Sequence, residues 1–144
     1  MNQDELLKLD NQLCFPLYVA SKEIVRKYKP FLDKVGLTYT QYIVFLVLWE
    51  KDNITLKELG ERLYLDSGTL TPLLKQLESR KLITRKRGKE DEREVFVKLT
   101  PQGRELKDKV INIPSNVGKC VKLDSEEAKL LYKILYKIIA GFED

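Results

Sequence analysis

The stretch from 60 to 78, GERLYLDSGTLTPLLKQLE, predicts the end of one helix, a tight turn and a second helix. Asp66 has a short carboxylate suited to an N-cap, so a helix is expected over 67–81. Leucines at helical spacing supply its buried side: Leu70, Leu73, Leu74 and Leu77. Upstream, the run TLKE at 55–58 matches a capping box and predicts a helix that ends near Leu63. Two short helices across a tight turn therefore lie at the centre of the chain.

Downstream of these helices the hydrophobic pattern changes from helical spacing to alternation, which is typical of strands. Two strands are predicted, over 82–87 and 94–99, with a polar tip over 88–93 between them. Thr100 followed by a proline then predicts a further helix, which we expect to run toward Val117. Two helices and a β-hairpin in this order are typical of a winged helix-turn-helix, whose second helix enters the major groove of DNA.

The segments on either side of this unit also predict helices. A helix is expected over about 11–32, with a kink or a late start because Pro16 lacks a backbone donor. Its apolar stripe comprises Leu13, Leu17, Ala20, Ile24 and Tyr28. A capping box at 38–41 precedes a buried helix over 42–49, and a final amphipathic helix begins at 124–125. The apolar residues of that last helix are Leu130, Leu131, Ile134, Leu135, Ile138 and Ile139.

These elements predict a mainly α (α+β) fold, a winged helix-turn-helix with flanking N- and C-terminal dimerisation helices. We expect one domain over 1–144, with the DNA-binding lobe over about 38–99 and the dimerisation helices over about 5–36 and 101–144. The first and last helices carry more apolar surface than one small core consumes. This surplus favours a homodimer, although a monomer with a larger core is the alternative.

The composition excludes most enzyme chemistry. The 144 residues include no histidine, so Ser-His-Asp catalysis, Cys-His catalysis and histidine-ligated metal sites are excluded. The two cysteines form no metal-binding spacing and no glycine-rich phosphate loop is present, so no metal, cofactor or catalytic residue is expected. The longest apolar run, 42–49, is too short to span a bilayer, and the acidic start MNQDELLKLD does not resemble a signal peptide. We therefore expect a cytoplasmic protein without membrane contact.

The positive charge is localised. The segment 75–98 contains nine Lys or Arg against five Asp or Glu, which accounts for the whole net charge of +4. Such an excess favours a nucleic-acid surface, with a solvated charged face as the alternative. On the second helix, short hydroxyls can approach bases and a lysine can reach phosphate. The candidate DNA-binding residues there are Ser67, Thr69, Thr71 and Lys75.

Four motifs then point to a family: NQLCF at 11–15, LTYTQY at 37–42, GERLYLDSGTLTPLLKQLE at 60–78 and DERE at 91–94. Over nearly the whole chain the sequence resembles the MarR family of bacterial transcription regulators, and within it the organic-hydroperoxide-sensing, OhrR-like branch. This resemblance implies a homodimer that represses transcription by binding an inverted repeat in double-stranded DNA, with one recognition helix in each half-site.

The resemblance also implies a role for the hairpin tip. In this family a D-x-R pattern places its arginine in the minor groove, and here the pattern is Asp91-Glu92-Arg93. Arg93 is therefore the candidate minor-groove residue and Asp91 its expected ion-pair partner, because narrow minor grooves attract arginine. The remaining candidates for phosphate or groove contacts, which the sequence does not rank, are Arg85, Arg87 and Lys89.

In the hydroperoxide-sensing branch the cysteine of NQLCF is the sensor, and two tyrosines hydrogen-bond its sulfur. The matching residues are Cys14, Tyr28 and Tyr39. On a continuous helix, the 14 residues between Cys14 and Tyr28 span about 21 Å, so contact is expected with the cysteine of the partner subunit. Organic hydroperoxide would oxidise the thiolate to a sulfenic acid. The alternative is that Cys14 only fills apolar space.

Cys120 has two possible roles under the same resemblance. Some members of the branch carry a second cysteine in the C-terminal part, which forms an intersubunit disulfide, and Cys120 lies in that region. It is either this resolving cysteine or a bystander thiol. Pro16 and Gly118 are not established features of the pattern, and Pro16 lies close enough to Cys14 to change how the first helix presents the sulfur.

Two other functions compete with a peroxide-responsive repressor. One is a MarR-type regulator that binds a small aromatic ligand in the cleft between the DNA-binding lobe and the dimerisation helices, with Cys14 only structural. The other is a cysteine peroxidase that uses Cys14 and Cys120. This function would not explain the basic hairpin.

Overall fold

The computed structural model describes residues 2–143, which form eight α-helices and three strands. The N-terminal part contains α1 (Gln3–Leu6), a 3-10 turn (Leu9–Asn11), α2 (Cys14–Asp33) and α3 (Tyr39–Glu50). The central part contains β1 (Ile54–Thr55), α4 (Leu56–Leu63), α5 (Ser67–Ser79), β2 (Ile83–Arg87) and β3 (Val95–Leu99). The C-terminal part contains α6 (Pro101–Val110), α7 (Ile113–Gly118) and α8 (Ser125–Ala140). The mainly α fold with a small sheet is confirmed.

The sheet is antiparallel, with β3 between β1 and β2. Ile83 pairs with Leu99 and Arg87 with Val95, so β2 and β3 form a regular hairpin, which we call the wing (residues 83–99). Val97 is buried on this hairpin, whereas the next residue, Lys98, is exposed. The alternating pattern in the sequence therefore predicts the inner face of the wing correctly.

Local capping fixes most helix starts. The Asp66 carboxylate accepts the Thr69 N–H at 2.8 Å at the start of α5. Complete capping boxes begin α3, at Thr38 with Gln41, and α8, at Asp124 with Glu127. These starts are as predicted.

The capping box predicted at 55–58 forms only in part. The Thr55 hydroxyl accepts the Glu58 N–H at 3.1 Å, but the Glu58 carboxylate accepts a hydrogen bond from Lys51 at 2.9 Å. The box therefore lacks its return bond, because a lysine elsewhere in the fold competes for the glutamate.

Three boundaries differ from, or refine, the expectation. The single helix predicted to run toward Val117 is wrong: α6 ends at Val110 and α7 begins at Ile113, because Pro114 has no N–H to continue the first helix. α5 ends at Ser79 rather than 81, where Lys81 adopts a positive φ of 61°. α2 starts late, at Cys14, which places Pro16 in the first helical turn, where no intrahelical donor is needed.

Most of the core lies within residues 38–99, and α6 and α7, from the segment predicted to dimerise, add Leu106, Val110, Ile113 and Val117 to it. α3 runs through its middle with Val44 and Phe45 fully buried, and helices α4 and α5 and the wing close around it. The other large, fully buried side chains of the described residues are Leu32, Leu48, Leu59, Leu70, Leu74, Leu77, Ile83 and Val97. Leu73, predicted on the same side of α5, is half-buried.

The two flanking helices α2 and α8 contribute little to this core. Leu32 is the one buried residue of α2, and α8 has none. On α2, Leu17 is 42% exposed, and on α8, Leu130 and Ile134 are 58% and 44% exposed. The apolar stripes that the sequence assigns to dimerisation helices are therefore uncovered within one chain. None of the helices in 2–143 is long and apolar enough to span a membrane.

Candidate DNA interface and thiol site

The start of α5 is presented by a tight turn. Tyr64 closes α4 in the left-handed conformation, with φ of 56°, and the Leu65 N–H bonds the Gly60 carbonyl at 3.0 Å. A Cβ on Gly60 would lie 2.6 Å from the Leu65 carbonyl oxygen, so only glycine allows this approach. The turn therefore sets the angle at which α5 leaves α4.

The candidate residues on α5 do not all share one face. Ser67, Thr71 and Lys75 are spaced four residues apart and lie on one stripe, whereas Thr69 lies off it. Ser67, Thr69 and Lys75 are exposed, and Thr71 is half-buried. Hydrogen bonds from Thr69, the backbone one first, hold the pKa of Asp66 below its usual range, so the cap stays charged at neutral pH.

Arg93 lies at the tip of the wing and its side chain is 92% exposed. Its Nε and Nη2 donate to the Asp91 carboxylate at 3.1 and 3.2 Å, and its backbone N–H donates to the same group at 3.0 Å. These bonds, the side-chain one first, lower the pKa of Asp91. The expected ion pair is present, and it holds the guanidinium in a defined orientation at the tip.

Backbone contacts close the tip beneath this pair. The Gly88 N–H bonds the Glu94 carbonyl at 2.9 Å, and the Glu94 N–H bonds the Asp91 carbonyl at 3.1 Å. A Cβ on Gly88 would lie 2.6 Å from the Asp91 carbonyl oxygen. Arg87 adds a bond from Nη1 to the Glu92 carbonyl at 2.9 Å. The tip is therefore a closed loop that presents Arg93.

The three basic wing residues that the sequence did not rank differ in their exposure and in their hydrogen-bond partners. Arg85 is half-buried and bonds Glu78 of α5 through its backbone N–H at 3.0 Å and Nη2 at 3.1 Å, which lowers the pKa of Glu78. Among residues 2–143 the buried Nε of Arg85 has no partner. Arg87 is exposed but holds the tip, and Lys89 is exposed. Arg85 therefore anchors the wing to α5, and its charge is already neutralised.

A groove of about 1140 Å³ separates the start of α5 from the wing tip. Its walls carry Asp66 and Ser67 on the α5 side and Asp91 and Arg93 on the wing side. The start of α5 and the wing tip, the two candidate DNA-contacting parts, are therefore separate projections with open space between them.

The two candidate tyrosines come together. The rings of Tyr28 and Tyr39 pack edge to face with centroids 4.9 Å apart, and Tyr42, which the motif did not single out, lies 5.7 Å from Tyr28. Burial raises the pKa of Tyr28 and of Tyr39, and for Tyr39 the neighbouring Tyr28 raises it further. Both hydroxyls therefore keep their protons at neutral pH and can donate hydrogen bonds.

The two cysteines are free and exposed. Cys14 is the first residue of α2, and the unbroken helix carries Tyr28 about 21 Å away along the axis. Cys120 follows the end of α7, with its sulfur 3.9 Å from the Asn116 carbonyl oxygen. A cavity of about 240 Å³ lies beside Tyr39, between α2 and the start of α3, in the region where an aromatic ligand was considered.

Sequence reasoning missed the contacts that join distant segments. Arg80, at the end of α5, donates to the Val35 and Gly36 carbonyls, and buried Gln41 bonds Gln76 at 3.0 Å. Gln41 was identified only as part of a helix cap. Partners more than 30 residues apart leave no local spacing pattern, so no signal in one sequence points to them.

Residues 26–110 match the family model described as Transcriptional regulator SarA/Rot. Over 138 residues the chain is 49% identical to the organic hydroperoxide resistance transcriptional regulator of Bacillus subtilis (strain 168), covering 96% of this chain and 94% of the relative. The chain belongs to the MarR family of transcription regulators, in its organic-hydroperoxide-sensing branch. The resemblance found in the motifs is thereby confirmed.

Solved structures of AbfR, from Staphylococcus epidermidis, are also similar to this MarR regulator. Reduced AbfR bound to DNA is 34% identical, with a TM-score of 0.80 over 98% of both chains. The disulfide form of AbfR is also 34% identical, with a TM-score of 0.66 over 95% of this chain and 96% of that one. The winged-helix fold is therefore confirmed.

This MarR regulator is a DNA-binding transcription factor and not an enzyme. Its relatives are transcriptional regulators, which removes the cysteine peroxidase as an explanation of the thiols. A basic excess such as that over 75–98 is expected of a DNA-binding protein.

Proposed function

We propose that this regulator is a homodimeric repressor that binds an inverted-repeat operator and releases it when organic hydroperoxide oxidises Cys14. The observation that carries the proposal is the pair of protonated tyrosines, Tyr28 and Tyr39, with rings 4.9 Å apart on and beside the helix that begins with Cys14. A half-buried pair of hydroxyl donors suits a sulfur that arrives from another subunit. The B. subtilis relative, named for organic hydroperoxide resistance, supports the choice of oxidant.

The second subunit is supported by the uncovered apolar faces of α2 and α8. In a dimer the two α2 helices run antiparallel, so that the amino end of one reaches the Tyr28 end of the other. This arrangement overcomes the 21 Å separation within one chain and places each thiol at the interface. Burial of α8 against the partner covers the remaining apolar side chains. The thiol site is thus complete only in the homodimer.

The chemistry at Cys14 is a two-electron oxidation. The thiolate attacks one oxygen of the hydroperoxide, an S–O bond forms, the O–O bond breaks, and the alcohol leaves after taking up a proton. The sulfur becomes a sulfenic acid while the peroxide is reduced. Cys14 lies at the amino end of a 20-residue helix, where negative charge is stabilised by the helix dipole. The tyrosine hydroxyls hold the sulfur in place.

Cys120 completes the switch as the resolving cysteine. Its thiolate attacks the sulfenic sulfur of Cys14 in the other subunit, an S–S bond forms, and hydroxide leaves and is protonated to water. Cys120 is exposed between α7 and α8, within a linker outside regular structure, so it can move toward the interface. The disulfide form known for AbfR supports this step.

The state described by the structure resembles the DNA-bound form of a relative more than its disulfide form. The TM-score is 0.80 with reduced, DNA-bound AbfR and 0.66 with disulfide-formed AbfR at the same sequence identity. Disulfide formation is therefore expected to change the arrangement of the lobes, and with it the distance between the two recognition helices. An operator of fixed half-site spacing then no longer fits.

In each half-site α5 is the recognition helix and the wing tip lies in the adjacent minor groove. Ser67 and Thr71 approach base edges, Thr69 contacts the phosphodiester backbone on the other side of the helix, and Lys75 reaches phosphate. Arg93, oriented by Asp91, enters the minor groove. Lys89 and Arg87 contact phosphates beside the tip, while Arg85 supports the wing from within.

Replacement of Arg93 with glutamine is expected to lower the affinity for operator DNA by about 5- to 150-fold, the range for loss of one base-reading arginine. The carboxylate of Asp91, left unpaired, adds repulsion toward DNA. The measurement is fluorescence anisotropy with an operator duplex selected by the reduced protein from a random-sequence pool. Arg26→Gln is the matched control, because Arg26 is an exposed arginine on α2 whose removal changes the net charge equally. Equal affinities for the two variants contradict the minor-groove role.

The proposed function is tested by titrating the same duplex with reduced protein and with protein treated with stoichiometric cumene hydroperoxide. We expect a weaker affinity after treatment and recovery with dithiothreitol. A regulator that responds to an aromatic ligand would show no such redox dependence, and its relatives do not favour that alternative. Unchanged operator affinity after quantitative oxidation of Cys14 would overturn the peroxide switch.

Non-reducing electrophoresis shows whether Cys120 is the resolving cysteine or a bystander thiol. Brief treatment with cumene hydroperoxide is expected to give a covalent dimer in the parent and none in Cys120→Ser. If the covalent dimer persists in Cys120→Ser, the bridge joins other thiols and the resolving role is wrong. If neither protein forms it, Cys120 is a bystander and Cys14 reacts with a small cellular thiol instead.

A further inference from the structure

An arginine at the end of the recognition helix bonds the segment that follows α2. Arg80 is the residue after α5, and its Nη1 and Nη2 donate to the carbonyls of Gly36 and Val35 at 2.5 and 3.0 Å. The planar guanidinium suits two neighbouring acceptors, whereas an ammonium offers a single point charge. The carboxyl end of α2 also carries negative dipole charge, which favours a cation there.

The carbonyls that Arg80 binds have no helical partners because of the turn that ends α2. The Leu37 N–H returns to the Leu32 carbonyl at 3.1 Å, with Gly36 in the left-handed conformation at φ of 68°. This turn leaves the Val35 and Gly36 carbonyls without helical partners. A Cβ on Gly36 would lie 3.1 Å from Nη2 of Arg80, so the glycine also keeps space for the guanidinium.

A second link joins the same connection to α5. Gln41 is 4% exposed; its side-chain oxygen accepts the Thr38 N–H at 3.1 Å and its amide donates to Gln76 at 3.0 Å. The connection of residues 35–38, which we call the junction, is therefore bonded to the recognition helix at both of its ends. One bond runs directly from Arg80, and the other passes through Gln41.

The junction connects the two helices that carry the tyrosine pair. Tyr28 precedes it on α2, Tyr39 follows it at the start of α3, and the two rings are in contact. Leu32, near the carboxyl end of α2, is the one buried residue of this helix, and the half-buried Tyr28 and Phe31 beside it also pack against the core, so this end of α2 packs most closely on the core. The junction is therefore a direct hydrogen-bonded link between α2 and α5.

We propose that Arg80 is the positioning residue that couples the position of α2 to the recognition helix. This inference rests on the proposed function for the trigger, oxidation at Cys14, but the coupling itself requires only that α2 and α5 move together. Because coupling between two sites is reciprocal, DNA bound to α5 must also restrain the carboxyl end of α2. That reciprocity gives a test that needs no oxidant.

The first measurement is amide hydrogen exchange of residues 28–38 in full-length parent, Arg80→Gln and Arg26→Gln, with and without the selected operator duplex. We expect DNA to slow exchange in this segment in the parent and in Arg26→Gln, and to lose that effect in Arg80→Gln. Equal protection in all three proteins overturns the coupling role. Arg80→Lys, which keeps the charge and one donor, is expected to restore part of the protection and carries the test if the glutamine variant does not fold.

The second measurement is the ratio of operator Kd after and before oxidation. Arg80→Gln is expected to lower this ratio at least about fivefold, the lower limit of typical coupling between sites, while the rate of sulfenic acid formation at Cys14 stays at the parent value. An unchanged ratio overturns the proposal. If the parent itself shows no change in Kd, the peroxide switch is wrong, and the exchange measurement still decides the role of Arg80.

Discussion

Replacement of Cys14 with serine is expected to leave the operator affinity of the reduced protein unchanged and to abolish its loss after treatment with cumene hydroperoxide. Serine has nearly the same size, accepts the same tyrosine hydrogen bonds and cannot be oxidised. Cys14 is exposed at the first position of α2, outside the core, so the substitution does not disturb folding. In the parent, oxidation should weaken operator binding by about 5- to 150-fold, the usual range of coupling between two sites.

Anisotropy titrations of both proteins, before and after peroxide, measure this difference. Cys120→Ser is the matched control, because it removes the other exposed thiol and leaves the proposed sensor intact. In Cys120→Ser, Cys14 can still form a sulfenic acid, so we expect peroxide to weaken operator binding only in part. Release of Cys14→Ser from DNA by the same dose of peroxide would show that another group senses the oxidant.

Replacement of Ile134 with glutamate is expected to give a monomer that no longer binds the operator. Ile134 is 44% exposed on α8 within one chain, so the new carboxylate is tolerated there and is costly only when a partner covers it. A single winged helix reads one half-site, and we expect affinity to fall by about 10³-fold or more, toward the non-specific level. Analytical ultracentrifugation and anisotropy are the measurements.

The control for this variant is Lys129→Gln, which alters net charge by the same amount on an exposed position of the same helix. It should remain dimeric and bind normally. Thermal unfolding of the Ile134→Glu protein at high concentration checks that the winged lobe is intact. A dimer of unchanged affinity in that variant would place the subunit interface elsewhere.

The parts of the fold that depend on neighbouring residues could be predicted from the sequence. The Asp66 cap, the leucines of α5 and the alternation of β3 each determine structure within a few residues. The break before Pro114 was missed because the apolar pattern continues through it, and only the missing N–H interrupts the helix. Patterns of hydrophobic spacing do not record a lost donor.

For the candidate site too, features that depend on local motifs could be predicted, whereas features that depend on contacts between distant segments could not. Motifs of the family predicted Cys14, Arg93 and their partners, and the separation of Cys14 from Tyr28 on one helix then predicted a second subunit for the thiol site. The sequence did not distinguish Arg85, which is held by Glu78, from an arginine available to DNA. That distinction depends on which segments fold against each other, and a basic side chain in a hairpin gives no sign of it.

In the proposed homodimer, the uncovered face of α8 makes occupancy of the operator depend on the level of expression. When most chains are monomeric, the amount of dimer rises with the square of the amount of protein, and the stability of the folded state rises with concentration as well. A moderate fall in synthesis therefore lowers promoter occupancy more than in proportion. If a second subunit covers side chains such as Leu130 and Ile134, as proposed, sensitivity of the promoter to the amount of regulator follows directly.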